Sequence, residues 1–336
     1  MKSGCSVSDL AAKFAFFPPH PPTYGIRKEE SGGGKLVVSG IPQDTSMDVL
    51  MVDNRRGNKI IAFFFRNPCA RLTVLYSHGN ATDLGQLYEL FVQLKVNLRV
   101  NLMGYDYSGY GASSGKPSES NTYADIEAIY ECLETEYGVS QEDLVLYGQS
   151  LGSGPTLHLA SRLPRLRGVV LHSAMLSGLR VLCHINFSFC LDIYKNINKI
   201  KMVKCPVLVI HGTEDEVVNW LHGNKLWKLA REPHDPLWIK GGSHCNLELH
   251  PDFVVHLARF IKEIESVTTA QRLKKIHRSR QRPEKACIRS TTTTFTTNCC
   301  CQIKFQKPDG LSCCSSKGGI CVNCLKAPAC LCSSCR

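Results

Sequence analysis

Three residue types that together can transfer an acyl group recur along the middle of the chain. A serine stands in Gly148-Gln149-Ser150-Leu151-Gly152, an aspartate in Gly212-Thr213-Glu214-Asp215-Glu216-Val217, and a histidine in Gly241-Gly242-Ser243-His244. A serine hydroxyl alone is a weak nucleophile. An imidazole that accepts its proton activates it, and a carboxylate holds that imidazole in the useful tautomer. In this scheme Ser150 attacks, His244 takes the proton and later returns it to the leaving group, and Asp215 orients His244 and stabilises its charged form. The string G-x-S-x-G follows the apolar run Leu144–Tyr147 and precedes the helix-like Thr156–Ala160. That is the strand–turn–helix context of a nucleophile elbow, in which a side chain at either glycine would clash with neighbouring backbone.

Competing readings exist for each residue. Asp215 could be an ordinary helix cap, and Glu214 and Glu216 are rival carboxylates. His244 is one of 12 histidines. Jointly, in the order Ser…Asp…His with each residue on a loop after an apolar run, the three match the order of the α/β-hydrolase fold. Cys245 has no elbow around it and is expected to be buried or to stand behind the site. Ser108 and Ser113 lack an elbow as well. A tetrahedral intermediate needs backbone donors. The Leu151 N–H, next to the nucleophile, is one. The other comes from Ser77-His78-Gly79-Asn80-Ala81, where the Asn80 N–H is preferred to that of Ala81 on loop position. Asp106–Gly111 is expected to shape the pocket wall. Neither H-E-x-x-H nor G-x-x-x-x-G-K-[ST] occurs, and no cofactor or metal is expected for this chemistry.

The elements that must position these residues are short apolar runs alternating with helical patterns. Strands are predicted at Val49–Val52, Lys59–Phe65, Leu72–Tyr76, Leu98–Tyr105, Leu144–Tyr147, Gly168–His172, Val207–His211 and Pro236–Ile239. Helices are predicted at Leu84–Lys95, Thr122–Tyr137, Leu221–Ala230 and Phe253–Ile264. This alternation gives an α/β fold, with a mainly parallel central sheet, helices on both faces and an antiparallel hairpin at one edge. Such sheets present functional loops at the carboxyl ends of their strands. The expected organisation is an irregular N-terminal arm over 1–45, an α/β-hydrolase domain over 46–265 with a small lid at about 174–200, and a basic, Cys-rich, disordered tail over 266–336. In the arm, Phe14-Ala15-Phe16-Phe17-Pro18-Pro19 is expected to pack its aromatics on the domain rather than dip into a membrane surface.

Charge and cysteine divide the 336 residues in the same way. Residues 262–336 carry 14 Lys+Arg against 4 Asp+Glu, so nearly all of the net +11 lies there, together with 11 of the 18 cysteines. This fits a reduced domain with a separate tail better than a disulfide-stapled secreted protein. No apolar run reaches the ~18 residues of a membrane span, and Met1–Asp9 lacks the layout of a signal peptide. The absence of Gly at position 2 speaks against N-myristoylation. The sequons at Asn80 and Asn186 are accordingly expected to be unused.

In the tail, the basic run Gln271–Arg282 leads to Cys299-Cys300-Cys301 and Cys313-Cys314. S-acylation of these cysteines beside a polybasic patch would give two membrane signals, and so an anionic membrane surface as a partner. A zinc site from Cys321/Cys324 and Cys332/Cys335 is a rival with short spacing, and a solvated, functionless tail is another. No aromatics interleave the basic run, so nucleic acid is not expected as a partner.

The strings Ser77–Gly85, Tyr105–Gly115, Leu146–Ser150 and His211–Val217, together with Ala11–Pro19, closely resemble the family-17 alpha/beta-hydrolase-domain proteins. The resemblance covers about residues 10–265. It implies a serine hydrolase that removes palmitate from cysteines of membrane-attached proteins, with Ser150, Asp215 and His244 at the family's three positions. It also implies S-acylated membrane proteins as substrates and a place on the cytoplasmic face of the plasma membrane or endomembranes. A departure lies in the cysteines. Animal members carry an acylated N-terminal cluster, whereas only Cys5 stands near this N-terminus. The Cys-rich tail at the other end resembles plant relatives. The rival functions are a lipid or small-ester carboxylesterase using the same residues, and a ligand-binding module that keeps the fold without turnover.

Overall fold

A computed structural model describes residues 15–28, 36–178, 181, 192–268, 270–271 and 274. The tail cysteines and most of the basic run lie outside the described residues, as does much of the expected lid.

Two short strands come first, β1 (Gly25–Lys28) and β2 (Leu36–Ser39), paired antiparallel. They correct the reading of 1–45 as irregular. Gly25-Ile26-Arg27-Lys28 carries no apolar alternation, and its pairing with Leu36-Val37-Val38-Ser39 comes from register across the intervening residues rather than local pattern. Among the described residues the main sheet has nine strands. β3 (Met47–Asp53) and β4 (Lys59–Phe65) form an antiparallel hairpin at its edge, and β4 pairs antiparallel with β6 (Asn101–Tyr105). β5 (Thr73–Ser77), β6, β7 (Leu144–Gln149), β8 (Gly168–His172) and β9 (Pro206–Gly212) are parallel. β10 (Glu232–Pro233) and β11 (Leu237–Ile239) both add to β9.

Strands β4 to β9 are largely apolar because both faces of the sheet are covered there. Along β4, Ile60, Ala62 and Phe64 enter one core while Ile61, Phe63 and Phe65 enter the other. One face carries α1 (Leu84–Leu98) and α6 (Pro251–Ser266). The other carries α2 (Glu119–Thr135), α3 (Ser153–Ala160), α4 (Asn196–Lys199) and α5 (Leu221–Leu229). α6 buries Phe253, Leu257, Phe260, Ile261 and Ile264, one stripe at helical spacing. Asp83 caps α1 by accepting from the Gln86 N–H at 3.2 Å, and Ser118 caps α2 by accepting from the Asn121 N–H at 3.1 Å. Each cap stabilises its helix by about 1 kcal/mol. The strand expected from Leu98 begins only at Asn101. Leu98 belongs to α1, and Arg99 closes that helix in the left-handed region at φ 54°.

The chain order reverses around β5, which lies between β6 and β7. This is the switch point at which open α/β sheets bind ligands beyond the strand carboxyl ends. The turns after β5 and β7 meet there. A Cβ on Gly152 would overlap the Ser77 carbonyl, and one on Gly148 would lie 2.7 Å from Thr156 Oγ1. Both glycines of the elbow are therefore required by close approach, and Gly152 presses the turn against the end of β5. A Gly152→Ala variant is expected to lose about 1–3 kcal/mol of stability, read as a lower denaturant midpoint at unchanged m. An unchanged midpoint would show that the approach can relax.

Candidate active site

β7 ends at Gln149, and the chain turns so sharply that Ser150 adopts φ 50° before a 3₁₀ turn, Ser150–Gly152, leads into α3. A left-handed conformation costs a non-glycine residue about 1–2 kcal/mol. The turn is held from outside. Ser153 Oγ donates to the Ser150 carbonyl at 2.6 Å, and Asn196 Nδ2 donates both to Ser153 Oγ at 3.1 Å and to the Met175 carbonyl at 2.9 Å. The described residues of the expected lid, among them Met175 and Asn196, thus brace the elbow.

The structure brings Ser150, His244 and Asp215 into one line. Ser150 Oγ lies 3.0 Å from His244 Nε2, and His244 Nδ1 lies 2.8 Å from Asp215 Oδ2. Asp215 follows β9 and His244 follows β11, so parallel strands carry all three to the same end of the sheet. Of the rival carboxylates, Glu216 Oε2 accepts from the His244 main-chain N–H at 3.3 Å, not from the ring. The Asp215 side chain is fully buried. Burial alone would raise its pKa. Contacts from His211 and His244, with the Val218 N–H, more than offset this and hold the carboxyl well below the usual range. It is therefore an anion at neutral pH, aimed at the imidazole that a serine proton would charge.

Cys245 is exposed, contrary to expectation. The turn closed by the Ser243 N–H donating to Asn246 Oδ1 at 2.8 Å directs His244 toward Ser150, and its neighbour turns outward.

The two expected backbone donors belong to the turn after β7 and the loop after β5. The Leu151 N–H opens the 3₁₀ turn, whose first N–H groups have no intrahelical acceptor. Asn80 stands on the loop after β5. Its side chain has a role the sequence did not disclose. Oδ1 accepts from the Phe17 N–H at 3.0 Å and the Tyr110 hydroxyl at 2.6 Å, and Nδ2 donates to the Ala15 carbonyl at 2.9 Å. Residues 15–17 are thereby fastened to this loop. Phe16 is buried edge-on against Tyr194, with ring centroids 6.2 Å apart, so the arm does pack an aromatic on the domain. Beneath the loop, the Tyr107 hydroxyl donates to the His78 carbonyl at 2.6 Å, and the Tyr24 hydroxyl donates to Asp106 Oδ2 at 2.5 Å.

A second polar group lies under the elbow. The Tyr76 hydroxyl donates to Gln149 Oε1 at 3.0 Å, and Gln149 Nε2 donates to Glu248 Oε1 at 3.1 Å. The Tyr147 hydroxyl is 2.9 Å from Nδ1 of His172, which is fully buried. Burial holds the His172 imidazole neutral, lowering its pKa from 6.5 to about 4 against the pull of Glu248. The unfolded chain takes up this proton as pH falls below 6.5 and the folded chain does not, so stability is lost on acidification down to about 4. The whole shift is worth about 3 kcal/mol. Denaturant titrations at pH 7 and pH 4.5 are expected to show a loss about 2 kcal/mol smaller in His172→Gln than in the wild type. An equal loss in both would remove this histidine from the acid response.

The comparisons with known proteins agree with this fold. Residues 68–182 match the family described as "Serine aminopeptidase, S33". The chain is 42% identical over 279 residues to alpha/beta hydrolase domain-containing protein 17C of Xenopus tropicalis, covering 76% of this chain and 89% of that protein. It is 40% identical over 264 residues to protein 17B of Homo sapiens, covering 76% and 91%. Among solved structures, the Pyrococcus furiosus esterase Pf2001 superposes with a TM-score of 0.56 at 15% identity, covering 66% of this chain and 96% of that one, a likeness of fold. No helix among the described residues is long and apolar enough to cross a membrane. With identity of this order along nearly the whole length of those relatives, this chain belongs to the alpha/beta hydrolase domain-containing protein 17 family and has the α/β-hydrolase fold.

Proposed function

We propose that this protein is a serine hydrolase that cleaves acyl thioesters, with palmitoyl-cysteine on membrane-attached proteins as its substrate. The observation that carries the hydrolytic reading is the hydrogen-bonded line from Ser150 Oγ through His244 to buried Asp215. It also speaks against a binding module that has given up turnover. The palmitoyl substrate rests on family membership. It is supported by exposed apolar side chains on the segments that carry the site: Phe17 beside Asn80, Val217 and Leu221 after Asp215, and Leu249 after His244.

In this mechanism Ser150 Oγ attacks the thioester carbonyl carbon as its proton passes to His244 Nε2. The imidazolium is stabilised by the Asp215 carboxylate. The oxyanion of the tetrahedral intermediate is received by the Leu151 and Asn80 N–H groups, a contribution of about 3 kcal/mol for each such donor. Collapse breaks the carbon–sulfur bond, and the departing cysteine thiolate takes the proton from His244. Water then attacks the palmitoyl-Ser150 ester with His244 as base, which releases palmitate and restores the serine. Membrane contact through S-acylated Cys299, Cys300, Cys301, Cys313 and Cys314 and the basic run belongs to the same proposal. So does a place on the cytoplasmic face of a membrane.

The test is release of labelled palmitate from an S-acylated membrane protein by wild type and by Ser150→Ala. Release is expected to fall at least about a thousandfold in the variant with folding intact. Equal release by both would remove Ser150 from the mechanism. No release by either, with simple-ester hydrolysis by wild type alone, would make the protein a carboxylesterase.

A further inference from the structure

Asp215 has a second histidine beside it. His211, near the end of β9, is fully buried on the sheet face it shares with Val207 and Val209. Its Nε2 is 2.8 Å from the Val218 carbonyl and 3.1 Å from Asp215 Oδ2, the same oxygen that meets His244. A carbonyl only accepts hydrogen bonds, so Nε2 carries the proton. Its N–H is directed at Val218 and presents its positive end to the carboxylate as well. On the other side of the ring, Nδ1 is buried without a hydrogen-bond partner among the described residues. A Cβ on Gly223 of α5 would lie 2.5 Å from Nδ1, so α5 leaves room for this ring only because that residue is glycine.

The surroundings of Asp215 are otherwise complete. Oδ1 accepts from the Val217 N–H at 3.0 Å and the Val218 N–H at 2.7 Å, which leaves Oδ2 to the two imidazoles. A carboxylate has about four acceptor positions, and here each is faced by a donor. We infer that His211 is a positioning residue for catalysis: its Nε2–H holds the Asp215 carboxylate in place and moderates the charge that this carboxylate presents to His244. This rests on the hydrolytic role proposed for Ser150, His244 and Asp215.

The role has a directional consequence. Without the Nε2–H, the carboxylate has one donor fewer and attracts a proton on His244 more strongly. His244 then faces a less compensated negative charge, so the acid limb of kcat/KM moves upward. The other titratable groups nearby are Glu216, which meets the His244 main chain, Glu248, and His172, which interacts with both His211 and His244. His222 on α5 accepts from the Leu176 N–H through Nδ1. His172 is held neutral down to about 4 and does not contribute a limb above that pH.

The experiment compares wild type with His211→Phe, His211→Asn and His211→Gln. It reads p-nitrophenyl butyrate hydrolysis against pH, with active sites counted by fluorophosphonate labelling. Glutamine can place an amide N–H where Nε2 stands, whereas asparagine cannot reach it and phenylalanine has none. His211→Phe and His211→Asn are expected to lose tenfold to a hundredfold in kcat/KM per labelled site, roughly the cost of a misplaced catalytic group. Their acid limb is expected to move to higher pH. His211→Gln is expected to retain most of the rate and the wild-type limb. Should His211→Phe not fold, the Asn and Gln variants give the same contrast. An unmoved limb in both donor-less variants, or a His211→Gln as defective as His211→Asn, would overturn the role of His211. A wild type that neither hydrolyses the ester nor labels at Ser150 would overturn the hydrolytic reading itself, and this inference with it.

Discussion

The whole site depends on one close approach, that of the Gly152 backbone to the carbonyl end of β5. No side chain fits between them. The contact forces the turn after β7 to close immediately, which puts Ser150 at φ 50° and points its hydroxyl out of the sheet. It also sets the turn after β7 beside the loop after β5, where the proposed oxyanion donors Leu151 and Asn80 stand. Parallel pairing of β5, β7, β8 and β9 does the rest, since it delivers Asp215 to the same end of the sheet. The alignment of side chains as far as 94 positions apart therefore follows from one steric constraint and one sheet.

A strained turn needs support, and here the support is polar. Asn196 and Ser153 hold the elbow from the side of α4, Gln149 and Glu248 hold it from the far side, and the Asn80 carboxamide fastens residues 15–17 to the neighbouring loop. Buried polar groups cost about 1–3 kcal/mol each when left unmatched. Networks of this kind consequently specify one geometry more sharply than an apolar core would. The arrangement ties the N-terminal segment, the root of α4 and the loop before α6 to the same few atoms around Ser150.

Much of this was legible in the sequence. Ser150, Asp215 and His244 stood out because apolar runs of strand length precede each of them, and that pattern depends on local burial. The cores were legible for the same reason, since strands covered on both faces read as continuous apolar runs. What could not be read depends on distant partners. The Asn80 side chain meets residues 63 to 65 positions away, and only the peptide N–H of Asn80 was assigned a role. His211 and His172 looked like ordinary strand-end histidines, because nothing local distinguishes a buried imidazole beside a functional carboxylate from one that merely fills space. The β1–β2 pair carried no alternation to announce it, and Cys245 faces solvent because a turn beside His244 sets its direction. The left-handed end of α1 at Arg99 gave no glycine signal.

The central claim is that an acyl group passes through Ser150 on its way to water. It is tested most directly by quenching the wild-type protein within milliseconds to seconds of mixing with a palmitoyl thioester and mapping the acylated peptide by mass spectrometry. A palmitoyl adduct on the peptide bearing Ser150, formed before palmitate release becomes steady, is the expected result. Turnover without that adduct, or an adduct on Cys245 in its place, would contradict the claim.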